Sequence, residues 1–172
     1  MKRFLPATLV IAFLACTEGP IYQAPPRVSG SYARLIIFRE PGFGGAAWPH
    51  NYYVDKHLVA SLRVNNYTFL AVKEGTHEVH YGGTAEFRGQ LLKIDMKAGE
   101  TYYFKEGRTP GTGKPEFAGQ GVSSTGKMSS TTGQGAIVTV TWTDSVQFMG
   151  KEQAEAELKA YQYKEAILSQ VD

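Results

Sequence analysis

The chain predicts an all-β domain of antiparallel strands, followed by a C-terminal α-helix. Three observations lead there. Between Asn51 and Tyr81, β-branched and aromatic residues fall in short runs broken by turn clusters about every eight to ten residues. From Ile137 to Thr143 the chain alternates, with Ile137, Thr139, Thr141 and Thr143 on one face and Val138, Val140 and Trp142 on the other. From Gly150 to Val171 there is no proline, and Ala154, Leu158, Tyr161, Leu168 and Val171 recur at helical spacing. Glu155 and Lys159 add a favourable i,i+4 pair to that helix.

The elements follow in order. Residues 1–15 have the form of a secretory signal, with basic Lys2 and Arg3 and then an apolar run from Phe4 to Ala15. That run is shorter than the about 20 residues a spanning helix needs, and Pro6 interrupts it. Residues 17–31 carry three prolines and two glycines without apolar periodicity, and serve as a tether. The folded domain is expected over 32–145. Ala33 to Arg39 is its first strand, with a continuous apolar centre that suits a strand covered on both faces. Glu40 to His50 is a loop rich in Gly and Pro that holds Phe43 and Trp48. Those rings either face a partner or fold back over one end of the sheet.

Tyr52 to Val54, Leu58 to Leu62, Tyr67 to Val72 and His77 to Tyr81 read as successive strands, with a tight turn at Asn65 and Asn66. Gln90 to Met96 and Thr101 to Lys105 continue the pattern across the turn Lys97-Ala98-Gly99-Glu100. From 106 to 135, Gly, Ser and Thr dominate and large apolar residues are scarce. That segment is expected to be a mobile loop, because it buries too little to offset its ordering entropy. The helix is expected within 146–172, packed on the sandwich.

Charge and cysteine narrow the setting. Removing residues 1–15 takes away Lys2 and Arg3, leaving 16 basic residues against 16 acidic ones. The mature chain is neutral, so the pI of 8.6 belongs to the precursor and gives no ground for a nucleic-acid partner, which would need a basic face. Cys16 is the only cysteine, so it has no internal disulfide partner. The run Phe13-Leu14-Ala15-Cys16 resembles a bacterial lipobox, with Phe13 where leucine is usual. The resemblance implies lipidation of Cys16. Thr17, rather than aspartate, after the cysteine favours the outer membrane in such lipoproteins, with the domain expected on the periplasmic face.

Catalytic and metal constellations do not assemble in the sequence. His50, His57, His77 and His80 lack a cysteine or carboxylate cluster to complete a ligand set, and His77 and His80 point to opposite faces of one strand. His77 suits a half-buried residue bonding a turn carbonyl. No Gly-x-Ser-x-Gly elbow or phosphate loop occurs, and nothing singles out a pair among Asp55, Glu74, Glu78, Glu86 and Asp95.

Over about residues 33–105 the chain resembles the DUF2846 group of bacterial lipoprotein domains and, more distantly, the PEGA surface repeat. The resemblance lies in Tyr53-Val54-Asp55-Lys56-His57-Leu58-Val59, in Lys73-Glu74-Gly75-Thr76-His77-Glu78-Val79, and in Lys97-Ala98-Gly99-Glu100-Thr101-Tyr102-Tyr103-Phe104. His57 stands where a turn glycine is usual, and Glu74 where proline is usual. It implies a small transthyretin- or immunoglobulin-like β-sandwich on the cell envelope and no activity.

The expected function is therefore a lipid-anchored, non-enzymatic binding or adaptor module with an envelope protein partner and no cofactor or metal. Phe43 and Trp48 are the candidate contact residues. The alternative is a small-ligand or glycan binder that stacks its ligand on Trp48, Tyr52, Tyr53 or Tyr81.

Overall fold

The computed structural model describes residues 21–22, 24–25, 27–41, 48–82, 90–110, 121–131 and 137–172. Two sheets face each other across one core. The first carries β1 (Tyr32–Arg39), β4 (Asn66–Lys73), β7 (Thr101–Pro110), β8 (Gly121–Thr131), β9 (Ile137–Met149), β10 (Gln162–Tyr163) and β11 (Gln170–Val171). Its order is β10-β4-β1-β7-β9-β8, with β11 also paired to β4. The second sheet has the order β3-β2-β5-β6, from β2 (His50–Val54), β3 (His57–Leu62), β5 (Gly75–Gly82) and β6 (Gln90–Met96). The domain is the expected all-β sandwich with a helix near its C-terminus.

Alternation along each strand builds the core. Ala33, Leu35 and Ile37 of β1 meet Tyr52, Val54, Leu62, Val79 and Met96 of the facing sheet, all buried. The intervening Ile36 and Phe38 point outward on the first sheet. There they pack with Tyr67, Tyr103 and Met149 against Ala154, Leu158 and Tyr161. This second core accounts for the unbroken apolar run of β1, since the strand is covered on both faces.

Not every pairing is antiparallel. β1 runs parallel to β7, and β10 and β11 run parallel to β4. The β1–β7 crossover contains the whole second sheet, which no short turn could bridge.

Two segments depart from the sequence expectation. The stretch 106–135, expected as a loop, continues β7 to Pro110 and forms β8 over Gly121–Thr131, with 111–120 and 132–135 outside the described residues. β8 pairs with β9 along its whole length, and β9 extends past the predicted strand to Met149. An edge strand held by a backbone ladder needs no apolar face, so composition misleads there. The helix α1 spans only Lys151–Leu158. Beyond it the chain exchanges helical bonds for bonds to β4. Gln162 N–H donates to Asn65 O at 2.8 Å, Lys164 N–H to Tyr67 O at 2.8 Å, and Ser169 O accepts from Ala71 N–H at 2.9 Å. Ile167 N–H reaches Val59 O on β3 at 2.8 Å, so this tail straps the two sheets together and covers the edge of β4. Leu168 is exposed as a result, and Val171 is buried not by a helix but as part of β11, paired with Val72 in the core between the sheets. No helix among the described residues is long and apolar enough to cross a membrane.

The β2–β3 hairpin turns on Asp55 and Lys56, both at positive φ (48° and 73°), the geometry of a type I′ turn. Asp55 has side-chain compensation there, since Oδ1 accepts from Glu78 N–H at 2.9 Å and Oδ2 lies 2.5 Å from His77 Nδ1. Lys56 is exposed, and among the described residues no side-chain bond compensates its left-handed backbone. Lys56→Gly should therefore stabilise the protein by about 1 kcal/mol. Urea denaturation checks this, and a lower midpoint would show that Lys56 carries a compensating contact.

Candidate functional site

At the end of the sandwich where β1 finishes and β2 begins, a charged cluster sits inside the core. Register places Arg39 of β1 opposite Glu106 of β7. Alternation turns both side chains inward, along with Ile37 and Phe104. Arg39 is 2 % exposed and Glu106 1 %. Arg39 Nε lies 3.3 Å from Glu106 Oε2, which also accepts the Tyr52 hydroxyl proton. Glu106 Oε1 lies 3.0 Å from His50 Nδ1.

The other arms of Arg39 fix the remaining protons. Its Nη1 donates to the carbonyls of Trp48 (2.8 Å) and Leu62 (3.2 Å), and its Nη2 is 3.2 Å from His50 Nε2. A guanidinium can only donate, so His50 Nε2 accepts and Nδ1 carries the proton that goes to Glu106. The ring is thus a neutral tautomer with both nitrogens occupied. It stacks on Tyr81 at 5.3 Å and 9° between planes. Burial, and then the Glu106 carboxylate, push the Tyr52 hydroxyl well above its ordinary pKa, so it stays a donor. The cluster holds one positive and one negative charge, each with several partners. The desolvation cost of these charges is offset by the bonds each of them makes.

The loop leaving this cluster carries Trp48. Its carbonyl is tied to buried Arg39, yet the residue is 74 % exposed, so it does not fold back over the sheet. The other aromatics considered for stacking are buried: Tyr52 at 0 %, Tyr53 at 5 % and Tyr81 at 9 %. Phe43 and Cys16 lie outside the described residues. Among the described members of the sequence-derived set, Trp48 is thus the one with an available ring.

The histidines disperse. His50 joins the cluster, and His77 binds Asp55 and, through Nε2 at 2.7 Å, the Lys73 carbonyl, which is the turn carbonyl expected of it. His80 stacks on Tyr53 at 4.9 Å on the opposite face of β5. Among the described residues no three metal-ligating side chains converge.

Sequence reasoning passed over Arg39 and Glu106. The available signal was an arginine closing an apolar strand and a glutamate following Tyr102-Tyr103-Phe104-Lys105 in inward phase. A second arginine, Arg34, is buried on the outer face of the first sheet at 6 % exposure. Its guanidinium lies over the Phe69 ring at 5.4 Å, and its Nε has no hydrogen-bond partner. A cation–π contact is worth about 2 kcal/mol at most sites of this kind. Desolvating an ion costs several, so Arg34 is held less favourably than Arg39.

No family model matches the chain, and no curated protein or solved structure is found to be similar to it.

Removing one partner of the buried cluster strands the other. Glu106→Gln should cost about 3 kcal/mol, because Arg39 keeps its charge without a counter-ion. Urea unfolding measures it, and a loss below about 1 kcal/mol would mean that water reaches the guanidinium.

Proposed function

We propose that the protein is a non-enzymatic binding or adaptor module of the cell envelope, anchored in the outer membrane through lipidated Cys16 and facing the periplasm. It engages an envelope protein through the edge that carries Trp48. The observation that carries this reading is the pairing of an exposed ring with a fixed backbone. Trp48 presents its indole at 74 % exposure while its carbonyl is bonded to Arg39. An aromatic anchor whose backbone is already held loses less freedom on binding, and tryptophan is enriched among residues that dominate interface energy.

The anchor rests on the signal-like segment 1–15 and on Cys16 in its lipobox-like setting. The non-enzymatic reading is supported by the saturation of the Arg39–Glu106–His50–Tyr52 cluster, in which both imidazole nitrogens are occupied. A small-ligand or glycan binder remains the second reading. It too depends on Trp48, since Tyr52, Tyr53 and Tyr81 are buried.

In-cell crosslinking and pull-down of the tagged full chain tests the proposal. Trp48→Ala should reduce capture of the dominant envelope partner by roughly tenfold or more. Its folding stability should stay within about 0.5 kcal/mol of the parent. Undiminished capture would remove Trp48 from the interface, and stabilisation by envelope glycans in a thermal-shift assay would favour the second reading. Cys16→Ala should abolish fatty-acid labelling and release the protein from membranes; persistent labelling would overturn the anchor.

A further inference from the structure

Arg34 does not belong to the Trp48 surface, and what surrounds it differs from what surrounds Arg39. It lies on β1 on the face opposite the central core and lines a partly open groove of about 200 Å³. Phe69, Tyr163, Val28 and Ala166 supply apolar wall, and Glu165 stands in the lining, itself exposed. The Phe69 and Tyr163 rings lie 5.2 Å apart and tilted by 32°, forming a continuous aromatic side.

Among the described residues no carboxylate pairs with Arg34, and its buried Nε is without a hydrogen-bond partner. Burial lowers its pKa, with the nearby Tyr22 and Tyr103 hydroxyls acting in the other direction. A guanidinium nonetheless remains protonated at any ordinary pH, so burial does not relieve it of charge. A cation that is desolvated, charged and without a counter-ion is satisfied by an anion entering the groove it lines.

We propose that this groove binds a small monocarboxylate with an apolar body, whose carboxylate pairs with Arg34 and whose body lies against Phe69 and Tyr163. The planar guanidinium matches a carboxylate. The aromatic side takes the hydrocarbon part. The volume is below the about 300–1,000 Å³ of sites for drug-sized ligands, which restricts the ligand to a small one. Glu165 selects against a second negative charge, and so against phosphate and dicarboxylates.

The proposal is independent of the Trp48 interface, and the two stand or fall separately. The probe is 3-phenylpropionate, compared with its neutral amide and with inorganic phosphate, added to the full chain and followed by NMR. The acid should bind saturably, with a Kd of about 1 mM or tighter, and should shift the Phe69, Ala71 and Tyr163 signals. The amide and phosphate should bind at least tenfold more weakly. Arg34→Met should lose at least tenfold in affinity for the acid. Ala166→Leu, which narrows the groove without touching Arg34, should lose affinity as well and guards against a folding defect in the first variant. Glu165→Gln should tighten binding and admit phosphate. Equal binding of acid and amide, shifts centred elsewhere, unchanged affinity in Arg34→Met, or no saturable binding would each overturn the proposal.

Discussion

The ion pair of Arg39 and Glu106 is the interaction on which the arrangement of the two sheets depends. Apolar packing between sheets is non-directional, and Val, Leu and Ile side chains tolerate many relative offsets. A guanidinium with several fixed acceptors does not. Arg39 and Glu106 come from β1 and β7 of one sheet, His50 and Tyr52 come from β2 of the other, and Leu62 closes β3. The network therefore sets one position of sheet on sheet, at the end where the loop bearing Trp48 departs. The desolvation cost of two charges is offset by the number of bonds they make, and their partners are drawn from both layers.

The contrast between the two buried arginines separates structure from recognition. Both lie on β1, five residues apart in sequence and on opposite faces. Arg39 has its counter-ion, two carbonyls and an imidazole inside the fold. Arg34 has an aromatic ring beneath it and an open groove beside it. The first spends its hydrogen-bonding capacity on the fold, whereas the second leaves a buried Nε without a partner.

Much of the architecture was legible because strands with one buried face announce themselves by alternation. β1 to β6 and the start of β7 fall where period-two patterns and turn residues place them, and Asn65 adopts the positive φ (60°) that its turn required. β8 was not legible. Gly121 to Thr131 has little apolar content, and its order comes from backbone pairing with β9, which leaves no hydrophobic trace. The helix was read too long because Leu168 and Val171 continue its stripe numerically. Tertiary pairing of Gln162, Tyr163 and Gln170 with β4 won over intrinsic helical preference. The cluster was hidden for a different reason. Arg39 and Glu106 are far apart in sequence, and only the parallel β1–β7 register, a product of the whole topology, brings them opposite each other.

The placement of β1 also constrains how the chain reaches this state. Neither of its neighbours is adjacent in sequence: β4 follows only after the β2–β3 hairpin, and β7 after the entire second sheet. The hairpins β2–β3 and β5–β6 can form early because their contacts are local. The strand that becomes the centre of the molecule has to wait for distant partners, with Leu35, Ile36, Ile37 and Phe38 uncovered in the meantime. A strand buried at seven of its eight residues thus depends for that burial on contacts that are all distant in sequence.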